Sequence, residues 1–119
     1  MQYAHALTIL YTNACSIRNK WPELLAEIEQ DNIKVLAITE TWLSQQDQVP
    51  TIVLGNFDLY RQDREGSTIG GGVAILVNRD LSSLESNIKL STQHVQVCAA
   101  ILSGPSRRVS LVCIPQPQC

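Results

Sequence analysis

LTILYTN at residues 7–13 and VLAITETW at residues 35–42 decide the fold of this chain. Each is a run of apolar and β-branched residues that reaches a hard oxygen ligand, Asn13 in the first and Glu40 in the second. Such runs suit strands buried on both faces. Between them, Trp21, Leu24, Leu25 and Ile28 fall at i, i+3, i+4 and i+7, the apolar stripe of a helix. Ser16 or Asn19 can cap that helix, Pro22 is tolerated in its first turn, and it should end near Asp31 and Asn32. The unit is therefore β-α-β, with a right-handed crossover and parallel strands. Parallel strands send their carboxyl ends to one edge, where α/β proteins usually bind ligands. Asn13 and Glu40 are expected together at that edge, and an amide oxygen beside a carboxylate suits Mg²⁺.

Further along, helical patterning fades. Residues 44–56 read as a loop with a short apolar anchor, broken by Pro50 and Gly55. Residues 57–61 suit a short strand, 62–72 a glycine-rich loop, and 73–78 (VAILVN) a buried strand. Residues 94–114 read as an antiparallel hairpin turning at Gly104-Pro105-Ser106. A doubly wound fold would keep alternating strand and helix. This order suits an α/β (α+β) class instead, with a mixed sheet or two packed sheets and helices outside.

Composition narrows the function classes. At 119 residues the chain can bury roughly two-thirds of its surface, enough for a real core. Nine basic and eleven acidic residues leave a net charge of -2, so any polyanion-binding surface is local rather than global. No stretch approaches the roughly 20 apolar residues of a membrane span. The N-terminus has no basic region of a secretory signal. The four cysteines form no C-x-x-C pair and no zinc or disulfide framework, and Cys98 and Cys113 lie in apolar runs as buried thiols. A reducing, intracellular setting is expected, nucleus or cytoplasm, without secretion.

Glu40 follows a buried strand, where an uncompensated charge is costly. Mg²⁺, Arg61 or Arg64 could compensate it, and the residues alone leave a cation and an internal arginine pair both open. Asn13 alone also suits a plain turn. Asp63 and Arg64 are either a solvated pair or neighbours of Glu40. Gly70, Gly71 and Gly72 open a strand rather than a helix, which favours a tight turn over a phosphate cradle. His5 and His94 read as surface residues, and Trp21 and Trp42 as core or core-edge aromatics.

The segments YTNACSIRNKWPELLAEI, VLAITETWL and FDLYRQDREGSTIGGGVAILV together resemble the N-terminal half of an endonuclease/exonuclease/phosphatase superfamily domain. They are most similar to the apurinic-like endonuclease of non-LTR retrotransposons. The resemblance implies a four-layer sandwich and phosphodiester hydrolysis of DNA dependent on Mg²⁺, with Mn²⁺ as an alternative. It implies catalytic and metal-positioning roles for Asn13 and Glu40, with Arg61, Asp63 and Arg64 in support. The superfamily's Asp-x-Asn motif, its Asp-His pair and a strand-ending tyrosine have no counterpart here, and Cys15 stands where a basic residue is common. Residues 1–119 are thus expected to form a single incomplete domain, a partial sandwich truncated at its C-terminus and inactive alone. The alternatives are a non-catalytic remnant that binds a partner protein through an exposed sheet edge, and a phosphatase-like hydrolase of the same superfamily.

Overall fold

The computed structural model describes residues 8–65, 70–92, 94–104 and 108–114. Leu7 of the expected first strand, His5, and Pro105 and Ser106 of the expected turn lie outside these. The elements are β1 (Ile9–Asn13), α1 (Trp21–Asp31), β2 (Val35–Thr39), α2 (Thr51–Asn56), β3 (Phe57–Gln62), β4 (Val73–Asn78), β5 (Ser82–Glu85), β6 (Leu90–Ser91), β7 (Gln96–Ser103) and β8 (Arg108–Cys113). They build two sheets with few helices, a mixed α+β architecture consistent with the expected sandwich.

Strands β1 and β2 pair in parallel, from Ile9 opposite Val35 to Asn13 opposite Thr39. The first sheet runs β1-β2-β4-β3, with β4 antiparallel to both of its neighbours. In the second sheet β7 pairs antiparallel with β5, β6 and β8. Strand periodicity divides the first sheet between two cores. Leu36 and Ile38 of β2 and Leu76 of β4 meet Trp21 and Leu24 of α1, with Leu25 and Ile28 packed against them. The opposite face, with Val35, Ala37, Val73, Ile75 and Val77, meets Cys98, Ala100, Leu102 and Cys113 of the second sheet. Among the described residues the layers are helix, sheet and sheet. No helix among them is long and apolar enough to cross a membrane.

Three expectations need correction. The N-cap of α1 is Lys20, with no side-chain cap, rather than Ser16 or Asn19. The reason is a preceding turn in which Lys20 N–H donates to Ile17 O at 2.9 Å, so Asn19 is already inside that turn. Residues 51–56 are helical rather than loop. Pro50 precedes the helix, where a missing N–H is harmless, and Val53 is driven fully into the α1-side core. The polar stretch after β4 carries β5 and β6, strands held by backbone pairing while Leu84 and Leu90 stay exposed. The C-terminus of α1 is as expected. Asn32 adopts the left-handed conformation at φ 52° and Ile33 N–H donates back to Ile28 O at 3.0 Å.

Leu76 is fully buried and Ile52 is 61% exposed. Leu76→Ala is expected to lower the unfolding free energy by about 2–5 kcal/mol and Ile52→Ala by less than about 0.5 kcal/mol. Urea melts read by tryptophan fluorescence check both.

Candidate functional site

The backbone beyond β1 and β2 does not separate when the sheet ends. Ala14 N–H donates to Thr39 O at 2.8 Å, Ser16 N–H to Glu40 O at 3.0 Å, and Ile17 N–H to Thr41 O at 3.0 Å. A third segment joins them. Thr41 N–H donates to Gly72 O at 3.2 Å and Trp42 N–H to Gly71 O at 2.9 Å. Residues 13–17, 39–43 and 70–72 are thus knitted into one surface at the carboxyl ends of β1 and β2, the edge on which Asn13 and Glu40 were expected.

This junction is strained. Cys15, Ser16, Glu40 and Trp42 have φ of 45°, 83°, 53° and 58°, a region that side chains disfavour. Asn32, at the helix end, is the other such residue described. Each typically costs on the order of 1 kcal/mol, and such costs cluster where geometry serves function. Gly71 and Gly72, at φ 68° and 87°, meet the same demand without a side chain. They are also close-packed. A Cβ on Gly71 would strike Gln96 Oε1 and the Arg64 guanidinium, and one on Gly72 would strike Thr41 Oγ1. The glycine run is therefore a packing joint, in keeping with the tight-turn reading.

Gln96 completes that joint. It is fully buried, accepts from Gly72 N–H at 2.7 Å, and donates to Thr92 O at 2.8 Å. It ties the second sheet to the edge of the first. Its position between Val95 and Val97 reads in sequence as a solvent-facing strand residue, so the pattern conceals it. Trp42 Nε1 is buried without a hydrogen-bond partner among the described residues. It lies 3.8 Å, and Arg64 Nη1 3.0 Å, from the place a Gly70 Cβ would occupy. Two donors thus converge beside the loop that carries Glu40.

The remaining candidates fall around a separate cavity of about 770 Å³, lined by Ser44, Arg61, Asp63, Arg64 and Ser91 among others. Arg61 grips Asp63 through Nε and Nη2 at 3.1 and 2.8 Å, and donates to Ser44 O and Asp47 O at 2.8 and 3.2 Å. Its charge is thereby matched by Asp63, and Arg61 braces the loop after Trp42. A smaller cleft of about 120 Å³ holds Asn13 with Lys20 and Glu23. The structure therefore groups Arg61, Asp63 and Arg64 on one cavity and places Asn13 on another. Glu40, half-buried, lines neither of these two cavities.

Asp47, absent from the sequence reading, anchors the same loop. It takes Arg18 Nε and Nη2 at 3.0 and 2.6 Å and Ser44 N–H at 2.8 Å. The Arg18 hydrogen bonds, followed by that of Ser44, hold its carboxyl well below the ordinary carboxylate range. No C-x-x-C or charge run marks such a pair in sequence, because its members stand 29 residues apart.

No family model and no curated protein matches the sequence. Among solved structures, the chain is similar to the endonuclease domain of TRAS1, a telomere-specific non-LTR retrotransposon, with a TM-score of 0.63 and 13% identity. Its fold resembles that of a retrotransposon endonuclease domain. The match covers 89% of this chain but only 42% of that one. The chain therefore spans less than half the length of the structure it matches.

Two expected outcomes follow from this geometry. Gly71→Ala should destabilise the protein by more than about 1 kcal/mol, whereas Gly55→Ala, in a helix with open space around it, should be neutral or stabilising by up to about 1 kcal/mol. The folded-state value of Asp47 is depressed, so its contribution is complete above the unfolded value near 4 and fades as pH falls below that. Thermal melts between pH 6 and pH 2.5 or so should show a falling midpoint that is flatter in Asp47→Asn.

Proposed function

We propose that this chain is the N-terminal part of a Mg²⁺-dependent phosphodiester hydrolase acting on DNA, with its metal side at the junction of residues 13–17, 39–43 and 70–72. The observation that supports this most is the knitted, strained edge where Asn13 ends β1 and Glu40 follows the end of its parallel neighbour β2. The donor chemistry fits the group. One carboxylate and one amide oxygen are hard ligands of the kind Mg²⁺ takes, with water completing its shell. A bound Mg²⁺ would polarise a phosphoryl oxygen and stabilise the leaving oxygen.

Glu40 supplies the anionic oxygen that holds the cation, and Mn²⁺ would be taken by the same donors. The Asn13 amide supplies a neutral oxygen to the metal, or an N–H to a phosphate oxygen. Trp42 Nε1–H lacks an acceptor among the described residues, and a phosphate oxygen would satisfy it. Arg64 contributes positive charge beside it, and the Arg61–Asp63 pair stiffens the loop beneath. The sequence holds no counterpart of the superfamily's Asp-x-Asn motif or Asp-His pair, the groups that would handle the attacking water. We read it as an incomplete domain that binds metal and phosphate but does not turn over alone.

A non-catalytic interaction module is a second reading. It is favoured by β1, which pairs only with β2 among the described strands and leaves Ile9 40% and Tyr11 48% exposed. A partner protein would then add a strand at that edge.

Titration calorimetry with Mg²⁺ should show binding that Glu40→Gln weakens by about tenfold or more. Nicking of supercoiled plasmid with Mg²⁺ should stay at background, because acid–base assistance typically contributes about 10²–10⁴-fold. Binding that Glu40→Gln leaves unchanged would remove the metal assignment. Robust nicking that the same variant abolishes would show the active site to be complete.

A further inference from the structure

Cys98 and Cys113 stand directly opposite one another across β7 and β8. They are 3% and 4% exposed, and both belong to the core between the two sheets. Neither is disulfide-bonded. Cys98 Sγ lies 3.8 Å from Tyr60 O and Cys113 Sγ 3.6 Å from Ile38 O, so both thiols project against the first sheet. Opposed residues of antiparallel strands hold their Cβ atoms about 4.5–5.5 Å apart. A disulfide spans about 3.5–4.5 Å between the same atoms. An approach of about 1 Å closes the gap.

That approach is available on β8. Among the described strands its ladder is made with β7 alone, and only Cys113 of its six residues is buried. Fraying of this outer strand would bring both sulfurs to solvent without opening the α1-side core. Neither cysteine has a place in the hydrolase reading, and the inference does not depend on it.

We propose that Cys98 and Cys113 are a cross-strand dithiol that a small-molecule disulfide, such as oxidised glutathione, converts to an intramolecular disulfide locking β8 onto β7. The neighbouring Cys113, followed by burial, pushes the Cys98 thiol up, and Cys113 stands on the outer strand, which frays first. Cys113 Sγ is thus the first nucleophile. As a thiolate it attacks one sulfur of the oxidant, breaking that S–S bond and releasing one glutathione thiolate. Cys98 then gives up its proton and attacks Cys113 Sγ, forming the Cys98–Cys113 bond and releasing the second thiolate. The two protons from the protein finish on the two glutathiones. Two cysteine thiols are oxidised and one disulfide is reduced, so the step balances.

The test uses a Cys15→Ser, Cys119→Ser background, in which only these two thiols remain. After oxidised glutathione, intact mass should show the loss of two hydrogens and no retained glutathione. Closing a loop of this length should raise the melting temperature on the order of 5–10 °C, reversed by dithiothreitol. The parent chain gives an independent measurement should that background fold poorly. Trypsin cuts after Arg107 and Arg108, and fragmentation of the cross-linked peptides should assign the bond to Cys98 and Cys113 rather than Cys119. Persistent mixed disulfides, unreacted thiols, or a paired form that melts no higher than the reduced form would overturn the proposal.

Discussion

Strand β2 is buried on both faces along all five of its residues, and the rest of the molecule is arranged by that constraint. Its odd residues must find apolar partners on one side and its even residues on the other. Helix α1 satisfies Leu36 and Ile38, and the second sheet satisfies Val35 and Ala37. A strand fixed on both faces and paired on both edges cannot shift register without exposing two cores at once. Its carboxyl end is therefore a fixed point, and the residue that follows it, Glu40, is delivered to a defined place.

That fixed point carries the strain. The chain leaves β2 through two left-handed residues, Glu40 and Trp42, and leaves β1 through two more, Cys15 and Ser16. Ordinary loops avoid this. It persists here because the surroundings determine it, through the bonds from residues 14–17 to 39–41 and from 41–42 to the glycine run. Gln96 extends the clamp to the second sheet through one buried amide that serves as acceptor and donor. The clamp holds the carboxyl edge of β1 and β2 in one geometry.

Much of this was legible in residue order, for definite reasons. The β-α-β unit was readable because its strands are nearly all apolar and its helix shows one clear stripe. VAILV was readable as a buried strand for the same cause. The shared edge reached by Asn13 and Glu40 follows from reading the two strands as parallel and directly paired. What stayed hidden depends on contacts distant in sequence. The short helix after Pro50 exists because Val53 finds a core pocket, not because TIVLGN has helical periodicity. Strands β5 and β6 are backbone ladders with exposed side chains, so no alternation announces them. Gln96 is a buried polar residue with the pattern of an exposed one. The Arg18–Asp47 and Arg61–Asp63 pairs divide the charges around the loop in a way composition does not reveal.

The proposed cation site requires three sequence-distant loops to act as one edge. Paramagnetic broadening by Mn²⁺ in a ¹⁵N-resolved amide spectrum tests it directly. Substoichiometric Mn²⁺ should broaden the amides of residues 13–17, 39–43 and 70–72 together, leave those of β5 sharp, and lose this selectivity in Glu40→Gln. Broadening centred on the Arg61–Arg64 cavity instead, or a pattern unchanged by Glu40→Gln, would contradict it.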